Sequence, residues 1–309
     1  MGTGEIAEPT FSALLDSGHE VLGLVTQPDK PFGRHQEMRP PGVKTLALEA
    51  SVPVFQPESV RKKKVLAELR ALAPEIIVVM AYGQILPQAL IDIPQKAIIN
   101  LHASLLPKYR GASCIQSAIS AGDELTGWTV MHVVKALDAG DIILQNELVI
   151  GDSETGGELH NRLALAAPEC LLESLKLLES GEAERVPQQD ELSTYAPKLG
   201  RGDGEIDWSK SAAELARLVR AYDPWPGTNG WLKTAGGKKK RLKIFPPLEI
   251  GHGKGEPGEL LSADEKGFEI AMGEGSVFVR EVQLEGCRRM SAVDLIRGQK
   301  DCLRESGLE

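Results

Sequence analysis

Two polar side chains that are capable of catalysis stand at the end of an apolar run. Asn100 and His102 follow Ala97-Ile98-Ile99, a pattern that predicts a buried β-strand. Because alternate side chains of a strand project to the same side, Asn100 and His102 would face one point. An amide donor and an imidazole that converge there would stabilise an oxyanion, and the imidazole would also transfer protons. A turn-capping asparagine and a structural histidine are the alternative interpretation.

The residues that follow favour the catalytic interpretation. The chain continues with a rigid turn at Ser104 to Pro107, a Lys-x-Arg pair at Lys108 and Arg110, and then Gly111-Ala112. Few structural requirements explain this combination. Cys114 lies close by, and we predict that it fills a small gap in the core, because nothing adjacent in the sequence would activate its thiol.

The elements around this motif predict a Rossmann-like α/β fold. Apolar β-rich runs alternate with helical patterns over the first ~150 residues, which is typical of a mostly parallel sheet with helices on both faces. The predicted strands are 21–25, 76–80, 97–101, 128–134 and 141–150, and the predicted helices are 59–73 and 157–178. Asn100 and His102 then lie beyond the carboxyl end of a parallel strand, where open α/β sheets place their sites.

The beginning of the sequence lacks one element of this fold. Gly2-Thr3-Gly4 resembles a strand-to-helix turn, and an apolar strand should precede it, yet the sequence begins at Met1. We therefore expect the natural gene to extend upstream by one apolar strand of roughly six residues. The G-x-G is weak evidence for a nucleotide site, because a third glycine and an acidic partner are not at the expected places.

A change of composition divides the chain into two predicted domains. A length of 309 residues favours two domains over one. Residues 182–200 lack apolar periodicity, so we predict a linker there between a catalytic domain of residues 1–181 and a second domain of residues 201–309. Short strand patterns separated by glycine and proline predict that the second domain is a small β-barrel of the OB type.

The composition limits the compartment and the partners. No apolar run approaches the ~20 residues needed to cross a bilayer, and four scattered cysteines form no metal or disulfide pattern. We predict a cytoplasmic protein without a metal or a membrane partner. The net charge of −9 argues against a nucleic-acid partner, but residues 231–243 hold six basic residues and no acidic one. A solvated, lysine-rich hairpin is the alternative interpretation of that segment.

The central motif resembles the signature of folate-dependent formyltransferases. It reads NLHASLLPKYRGASCIQ from Asn100 to Gln116, and the Asn-x-His element with a later Leu-Asp-x-Gly is specific for formyl transfer. The resemblance covers nearly the whole chain. Further segments that carry it are GTGEIAEP near the start, TQPDKPFGR from Thr26, AYGQILP from Ala81, LDAGD from Leu137, KLGRGDGEIDW from Lys198 and DPWPG from Asp223.

The resemblance implies a catalytic trio of Asn100, His102 and Asp138. Spacing alone does not choose between Asp138 and Asp141, but the family motif has the catalytic residue first in Leu-Asp-x-Gly-Asp. In such enzymes an amine attacks the formyl group of 10-formyltetrahydrofolate, the Asn and His stabilise the oxyanion, and the Asp orients the His and helps to move the proton. The implied folate-binding residues are Ser104, Leu105, Leu106, Pro107, Ala81, Tyr82, Gly83, Ile85 and Leu86. The alternative interpretation of residues 81–86 is that they form an ordinary strand end and do not bind folate.

The resemblance also implies that the acceptor is the α-amine of methionyl initiator tRNA. The implied tRNA-binding residues are Arg34, Lys238, Lys239, Lys240 and Arg241. His35-Gln36-Glu37 departs from the more basic residues that are usual in the family, which weakens the assignment of the loop around Arg34 and leaves a flexible surface loop as the alternative. We predict a monomer.

Two other functions stay open at this point. Sugar-nucleotide N-formyltransferases share the Asn-x-His and the Asp, although the stretch from Arg110 to Gln116 resembles the tRNA-acting members more. A non-catalytic RNA-binding protein that has kept the fold is the third hypothesis, and the intact trio argues against it. A glycinamide ribonucleotide formyltransferase would leave the C-terminal domain without a role.

Overall fold

The computed structural model describes residues 1–32, 37–233 and 239–298 of the chain. Internal contacts divide the chain into two compact units. The first comprises Met1–Cys114, Leu125–Val149 and His160–Ala196, and the second comprises Ile115–Glu124, Ile150–Leu159 and Pro197–Glu309. The division at residues 181 and 200 stays a prediction, and residues 182–196, which are most of the predicted linker, belong to the first unit.

Short strands alternate with helices from the N-terminus to Ala196. The helices are α1 (Glu8–Leu15), α2 (Gly42–Glu49), α3 (Lys63–Ala71), α4 (Gln88–Ile91), α5 (Cys114–Ala121) and α6 (Gly156–Ser180). The strands are β1 (Leu24–Val25), β2 (Lys30–Phe32), β3 (Glu37–Arg39), β4 (Val54–Phe55), β5 (Ile76–Val79), β6 (Ala97–His102), β7 (Arg110–Gly111), β8 (Leu125–His132), β9 (Ile142–Val149) and β10 (Tyr195–Ala196). The alternation confirms the predicted α/β class.

Parallel strands position the candidate site. β1 pairs with β4, and β5 pairs with β6, both in parallel. Val79 of β5 lies beside Asn100 of β6, so the two strands end at the same edge. Ile98 and Ile99 of β6 are buried, which agrees with a strand that is apolar on both faces. The prediction that Asn100 and His102 stand at the carboxyl edge of a parallel pair is confirmed.

The other side of the sheet is antiparallel. β8 pairs with β6 and β9 pairs with β8 in opposite directions, which gives a four-stranded order β5-β6-β8-β9. The connection from β8 to β9 is short and contains Asp138, and strands joined without a long crossover pair antiparallel. This return brings Asp138 back towards the end of β6.

Met1 and Gly2 lie between β1 and β5. The Gly2 N–H donates to the Val25 carbonyl at 3.0 Å, and the Met80 N–H donates to the Met1 carbonyl at 2.9 Å. A cavity of about 650 Å³ adjoins them, and its lining includes Phe11, Leu14, Leu24, Ile76, Leu171 and Leu175. The upstream strand stays a prediction.

An antiparallel sheet forms the second unit. Its elements are α7 (Ala212–Ala221), β11 (Thr228–Lys233), β12 (Lys239–Gly251), β13 (Leu260–Asp264), β14 (Gly267–Ala271), β15 (Ser276–Leu284), β16 (Met290–Ser291) and α8 (Ala292–Gly298). The strand order is β11-β12-β15-β14-β13, with β16 beside β15. β12 shifts register between Phe245 and Leu248, at two prolines that cannot donate to the ladder. The sheet agrees with the predicted small barrel-like domain.

Helix α7 covers the core of this second unit. It begins at a capping box, in which the Ser211 hydroxyl accepts from the Glu214 N–H at 3.2 Å and the Ser211 N–H donates to the Glu214 carboxylate at 3.0 Å. Leu215 and Val219 are buried in one cluster with Leu242. Within the described ranges, no helix has the length and hydropathy needed to cross a membrane.

Candidate active site

Strand β6 and the β8–β9 connection bring the predicted catalytic residues to one edge of the sheet. Nδ1 of His102 lies 3.8 Å from Oδ2 of Asp138, and the imidazole is only 7% exposed. Asn100 is half-buried and stands two residues before His102 on the same side of β6. No described residue hydrogen-bonds to the Asn100 carboxamide, so its N–H groups stay available to a ligand.

The hydrogen bond of His102 fixes the roles of its two ring nitrogens. Nε2 lies 2.8 Å from the Tyr109 carbonyl oxygen. A carbonyl only accepts, so Nε2 carries a proton and donates it, and Nδ1 is the nitrogen that titrates. The 3.8 Å between Nδ1 and Oδ2 of Asp138 is within the range of an ion pair but exceeds a direct hydrogen bond.

The surroundings of His102 favour its charged form. Burial of the imidazole lowers its pKa, but charge and hydrogen-bond interactions with the Cys114 side chain, the Asp138 carboxylate and the Tyr109 carbonyl outweigh burial and raise the pKa from 6.5 to about 9. At neutral pH the ring is therefore protonated on both nitrogens. The contact between Cys114 and His102 was not expected from the sequence, because twelve residues separate them and only the start of α5 brings the thiol back to the imidazole.

Asp138 adopts a backbone conformation that is unusual for a residue with a side chain. Its φ is +49°, in the left-handed region. Oδ2 accepts from the Gly111 N–H at 2.9 Å, and the Asp138 carbonyl accepts from Nε2 of Gln188 at 2.9 Å. Such conformations persist where surrounding contacts impose them, and they cluster at functional sites.

The turn from Ser104 to Pro107 begins two residues after His102, and hydrogen bonds with Thr129 of β8 hold it in place. The Thr129 hydroxyl donates to the Ser104 carbonyl at 2.7 Å and accepts from the Leu106 N–H at 3.1 Å. Ser104 and Leu106 are buried, whereas Leu105 and Pro107 are half-exposed. Leu105 and Pro107 are therefore the members of this predicted folate-binding group whose side chains can contact a ligand.

The second predicted folate-binding group leaves the end of β5 and alternates between surface and core. Ala81 and Gly83 are exposed with φ of +48° and +80°, and Ile85 is 73% exposed. Tyr82 points the other way. Its ring is buried in the core, its carbonyl accepts from the Gln27 carboxamide at 3.0 Å, and burial raises the pKa of its phenol to about 12. The ring of Tyr82 thus supports the segment from the core, and Leu86 is half-buried.

The predicted tRNA-binding residues are only partly visible. Arg34 and Lys238 lie outside the described residues. Lys239 and Arg241 are exposed on one face of β12, whereas Lys240 is half-buried on the face that also carries Leu242. The Arg241 guanidinium stacks over the Trp231 ring at 5.3 Å, and Nε1 of Trp231 donates to Glu205 at 2.9 Å. An aromatic ring thus accompanies the basic side chains on this face of β12.

Two family models match the chain in succession. The model described as formyl transferase matches residues 1–175, and the model described as formyl transferase, C-terminal domain, matches residues 198–300. The chain belongs to the formyl transferase family. The resemblance carried by the motif at Asn100 is thereby confirmed, and the match to the C-terminal domain accounts for the second sheet.

Relatives of this formyltransferase match it over nearly their full length. A protein of Akkermansia muciniphila named methionyl-tRNA formyltransferase is 52% identical over 304 residues, which cover 96% of this chain and 95% of that protein. A protein of Pseudomonas fluorescens with the same name is 43% identical over 300 residues, which cover 97% and 92%.

Solved structures support the fold of the formyltransferase. The N-formyltransferase from Helicobacter canadensis, solved with folinic acid and dTDP-3-aminofucose, has a TM-score of 0.64 at 16% identity and covers 94% of this chain and 97% of that one. HypX from Aquifex aeolicus, solved with tetrahydrofolic acid, has a TM-score of 0.54 at 22% identity and covers 75% and 39%. At these identities the likeness shows the fold alone.

Several residues that hold the site of the formyltransferase were not predicted from the sequence. Thr129 and Gln145 support the Ser104–Pro107 turn, and Gln188 contacts the backbone of Asp138. Each is a polar residue in an ordinary strand or linker pattern, so no local signal distinguishes it. Among the described residues, no group of His, Cys, Asp and Glu side chains is arranged to hold a metal ion.

Proposed function

We propose that this formyltransferase transfers the formyl group of 10-formyltetrahydrofolate to the α-amine of methionyl initiator tRNA. The observation that carries the proposal is the 52% and 43% identity to proteins named methionyl-tRNA formyltransferase, over 96% and 97% of the chain. The arrangement of Asn100, His102 and Asp138 supports it, because these groups suit an acyl-type transfer with an oxyanion intermediate.

The transfer makes one carbon–nitrogen bond and breaks another. The α-amine attacks the formyl carbon, and the formyl oxygen becomes an oxyanion. Asn100 and Nδ1–H of His102 donate hydrogen bonds to it, and one such donor typically contributes about 10²- to 10³-fold in rate. The bond to N10 of the folate then breaks, and the proton of the attacking amine passes to N10. Asp138 stabilises the charged imidazole and helps to move this proton.

The folate is a substrate, and the described residues fit it. Ala81 and Gly83 expose their backbone at the end of β5, and left-handed residues there leave N–H and carbonyl groups open to a ligand. Ile85, Leu105 and Pro107 supply apolar contact for a flat pteridine ring. Tyr82, Ser104 and Leu106 support this wall from the core, and the half-buried Leu86 packs against the cluster that contains Tyr82.

The pKa of His102 predicts a pH dependence. Because the pKa is raised to about 9, Nδ1 keeps its proton below that value and loses it as the pH rises through it. The loss removes one donor to the oxyanion, so kcat at saturating substrates should fall with an apparent pKa near 9. A steady-state pH profile between 6 and 10 measures this. If kcat of the parent protein stayed constant as the pH rises to 10, the role assigned to His102 would be contradicted.

The basic face of β12 predicts a salt-dependent contribution to tRNA binding. Lys239→Ala should weaken tRNA binding and reduce the slope of log Kd against log salt by about 1, because one phosphate contact is lost. Lys266→Ala, at an exposed lysine in the β13–β14 turn, is the matched control and should leave the slope unchanged. If Lys239→Ala and the parent gave equal slopes of log Kd against log salt, Lys239 would not be one of the residues that contact the tRNA.

The choice of acceptor tests the proposed function directly. The protein is incubated with 10-formyltetrahydrofolate and either methionyl initiator tRNA or a set of amino-sugar nucleotides. Formylation of the tRNA alone is the expected result. Formylation of a sugar nucleotide alone would favour the second enzyme hypothesis, and tRNA binding without any formyl transfer would favour the non-catalytic one.

The state and location of the protein follow from this function as expectations. A monomer suffices, because every proposed catalytic group comes from one chain, and light scattering during size-exclusion chromatography checks it. The proposed substrates belong to translation, so a cytoplasmic location is expected.

A further inference from the structure

Gln188 lies in the segment that the sequence predicts as a linker. In the structure this segment is bound to the first unit on both sides of Gln188. Ile142 and Val186 exchange two backbone hydrogen bonds of 2.8 and 3.0 Å, and β10 pairs in parallel with β7. Gln188 is half-buried between these two anchors.

The carboxamide of Gln188 uses all of its hydrogen-bonding groups. Nε2 donates to the carbonyls of Asp138 at 2.9 Å and Gly140 at 2.8 Å. Oε1 accepts from Nε and Nη2 of Arg110 at 3.1 and 2.9 Å. Two donors and two lone pairs are the full capacity of an amide, so no charged residue or hydroxyl would make the same four contacts.

These contacts close a ring around the catalytic carboxylate. Gln188 holds the backbone of Asp138, Arg110 holds Gln188, and the N–H of Gly111, the next residue after Arg110, donates to Oδ2 of Asp138 at 2.9 Å. The backbone and the side chain of Asp138 are thus fixed by two neighbouring segments, which the contact between Arg110 and Gln188 joins. This explains how a non-glycine residue keeps a φ of +49°.

We propose that Gln188 is a positioning residue for Asp138. By binding the carbonyls on both sides of Ala139, it holds the Asp138 carboxylate 3.8 Å from Nδ1 of His102. Gln188 does not touch the reacting atoms and acts only through Asp138. The inference rests on the proposed function only where its test measures kcat for formyl transfer to the tRNA.

Three variants test the proposal. Gln188→Glu keeps the size of the side chain and an acceptor for Arg110 but loses both donors, Gln188→Ala removes the whole bridge, and Gln189→Ala changes the exposed neighbour. For both Gln188 variants we expect kcat to fall at least about 10-fold, because small misplacements of catalytic groups cause large losses. KM for the folate and for the tRNA should change less than about 3-fold, and Gln189→Ala should behave as the parent.

A second readout does not depend on the acceptor. NMR titration of labelled histidine follows the pKa of His102, which should decrease in Gln188→Ala because the Asp138 carboxylate moves away from Nδ1. Gln188→Ala with the His102 titration of the parent would overturn the proposal. Gln188→Glu with the kcat of the parent would also overturn it, since the contact with Arg110 alone would then be sufficient. If the parent formylates another acceptor, the proposed function fails, yet the titration still decides the role of Gln188.

Discussion

His102→Ala should lower kcat by about 10³-fold, the largest loss that we expect for a single residue. The imidazole donates to the oxyanion through Nδ1–H and carries the positive charge that Asp138 stabilises, so its removal loses both contributions. In the proposed mechanism the side chain acts on the formyl group during its transfer and has no role in holding the folate or the tRNA, so KM for either substrate should change less than about 3-fold. Steady-state rates of formyl-methionyl-tRNA formation measure the effect.

The control for this variant separates chemistry from folding. His19→Ala replaces an exposed histidine of the same unit and should keep the activity of the parent. Thermal unfolding of His102→Ala, followed by circular dichroism, should remain cooperative. A His102→Ala enzyme with more than about a tenth of the parental kcat would show that the imidazole is not the principal donor.

Asn100→Ala should lower kcat by about 10²- to 10³-fold. Its carboxamide has no hydrogen-bond partner among the described residues, so truncation leaves no buried group without a partner and the free energy of unfolding should change little. Asn100→Asp should lose at least as much activity, because it removes the donor and adds a negative charge facing the oxyanion. Single-turnover rates at saturating substrates measure both variants.

Asn161→Ala, at an exposed asparagine on α6, is the matched control and should transfer formyl groups at the parental rate. If Asn100→Ala kept its single-turnover rate while its KM for the folate rose, Asn100 would bind the substrate and would not stabilise the oxyanion. If the single-turnover rate and the KM for the folate of Asn100→Ala both equalled those of the parent, Asn100 would have no role in the site.

The sequence predicts the part of the site that one strand carries. Asn100, His102 and the turn at Ser104 are consecutive, and strand periodicity alone places the first two on one side. Asp138 could not be chosen by periodicity, because it lies in a connection between two antiparallel strands and only the family motif distinguishes it from Asp141. β8 and β9 pair antiparallel because their connection is short, and nothing in the sequence of that connection distinguishes it from an ordinary loop.

The residues that hold the site depend on tertiary contacts that no local pattern reports. Gln188 is fifty residues away from Asp138 in a segment without apolar periodicity, and the Ile142–Val186 hydrogen bonds and the pairing of β7 with β10 bring it back. Tyr82 shows the opposite case. Its neighbours at Ala81 and Gly83 are exposed, but the strong preference of a large ring for burial turns its side chain into the core.

The most direct test of the carboxylate–imidazole pair is a double-mutant cycle of Asp138→Asn and His102→Ala in single-turnover formyl transfer. If Asp138 works through His102, Asp138→Asn should slow the parent by about 10²-fold and should slow the His102→Ala enzyme by less than about 3-fold. An equal loss in both backgrounds would show that the two side chains act independently, which would contradict the mechanism proposed for this formyltransferase.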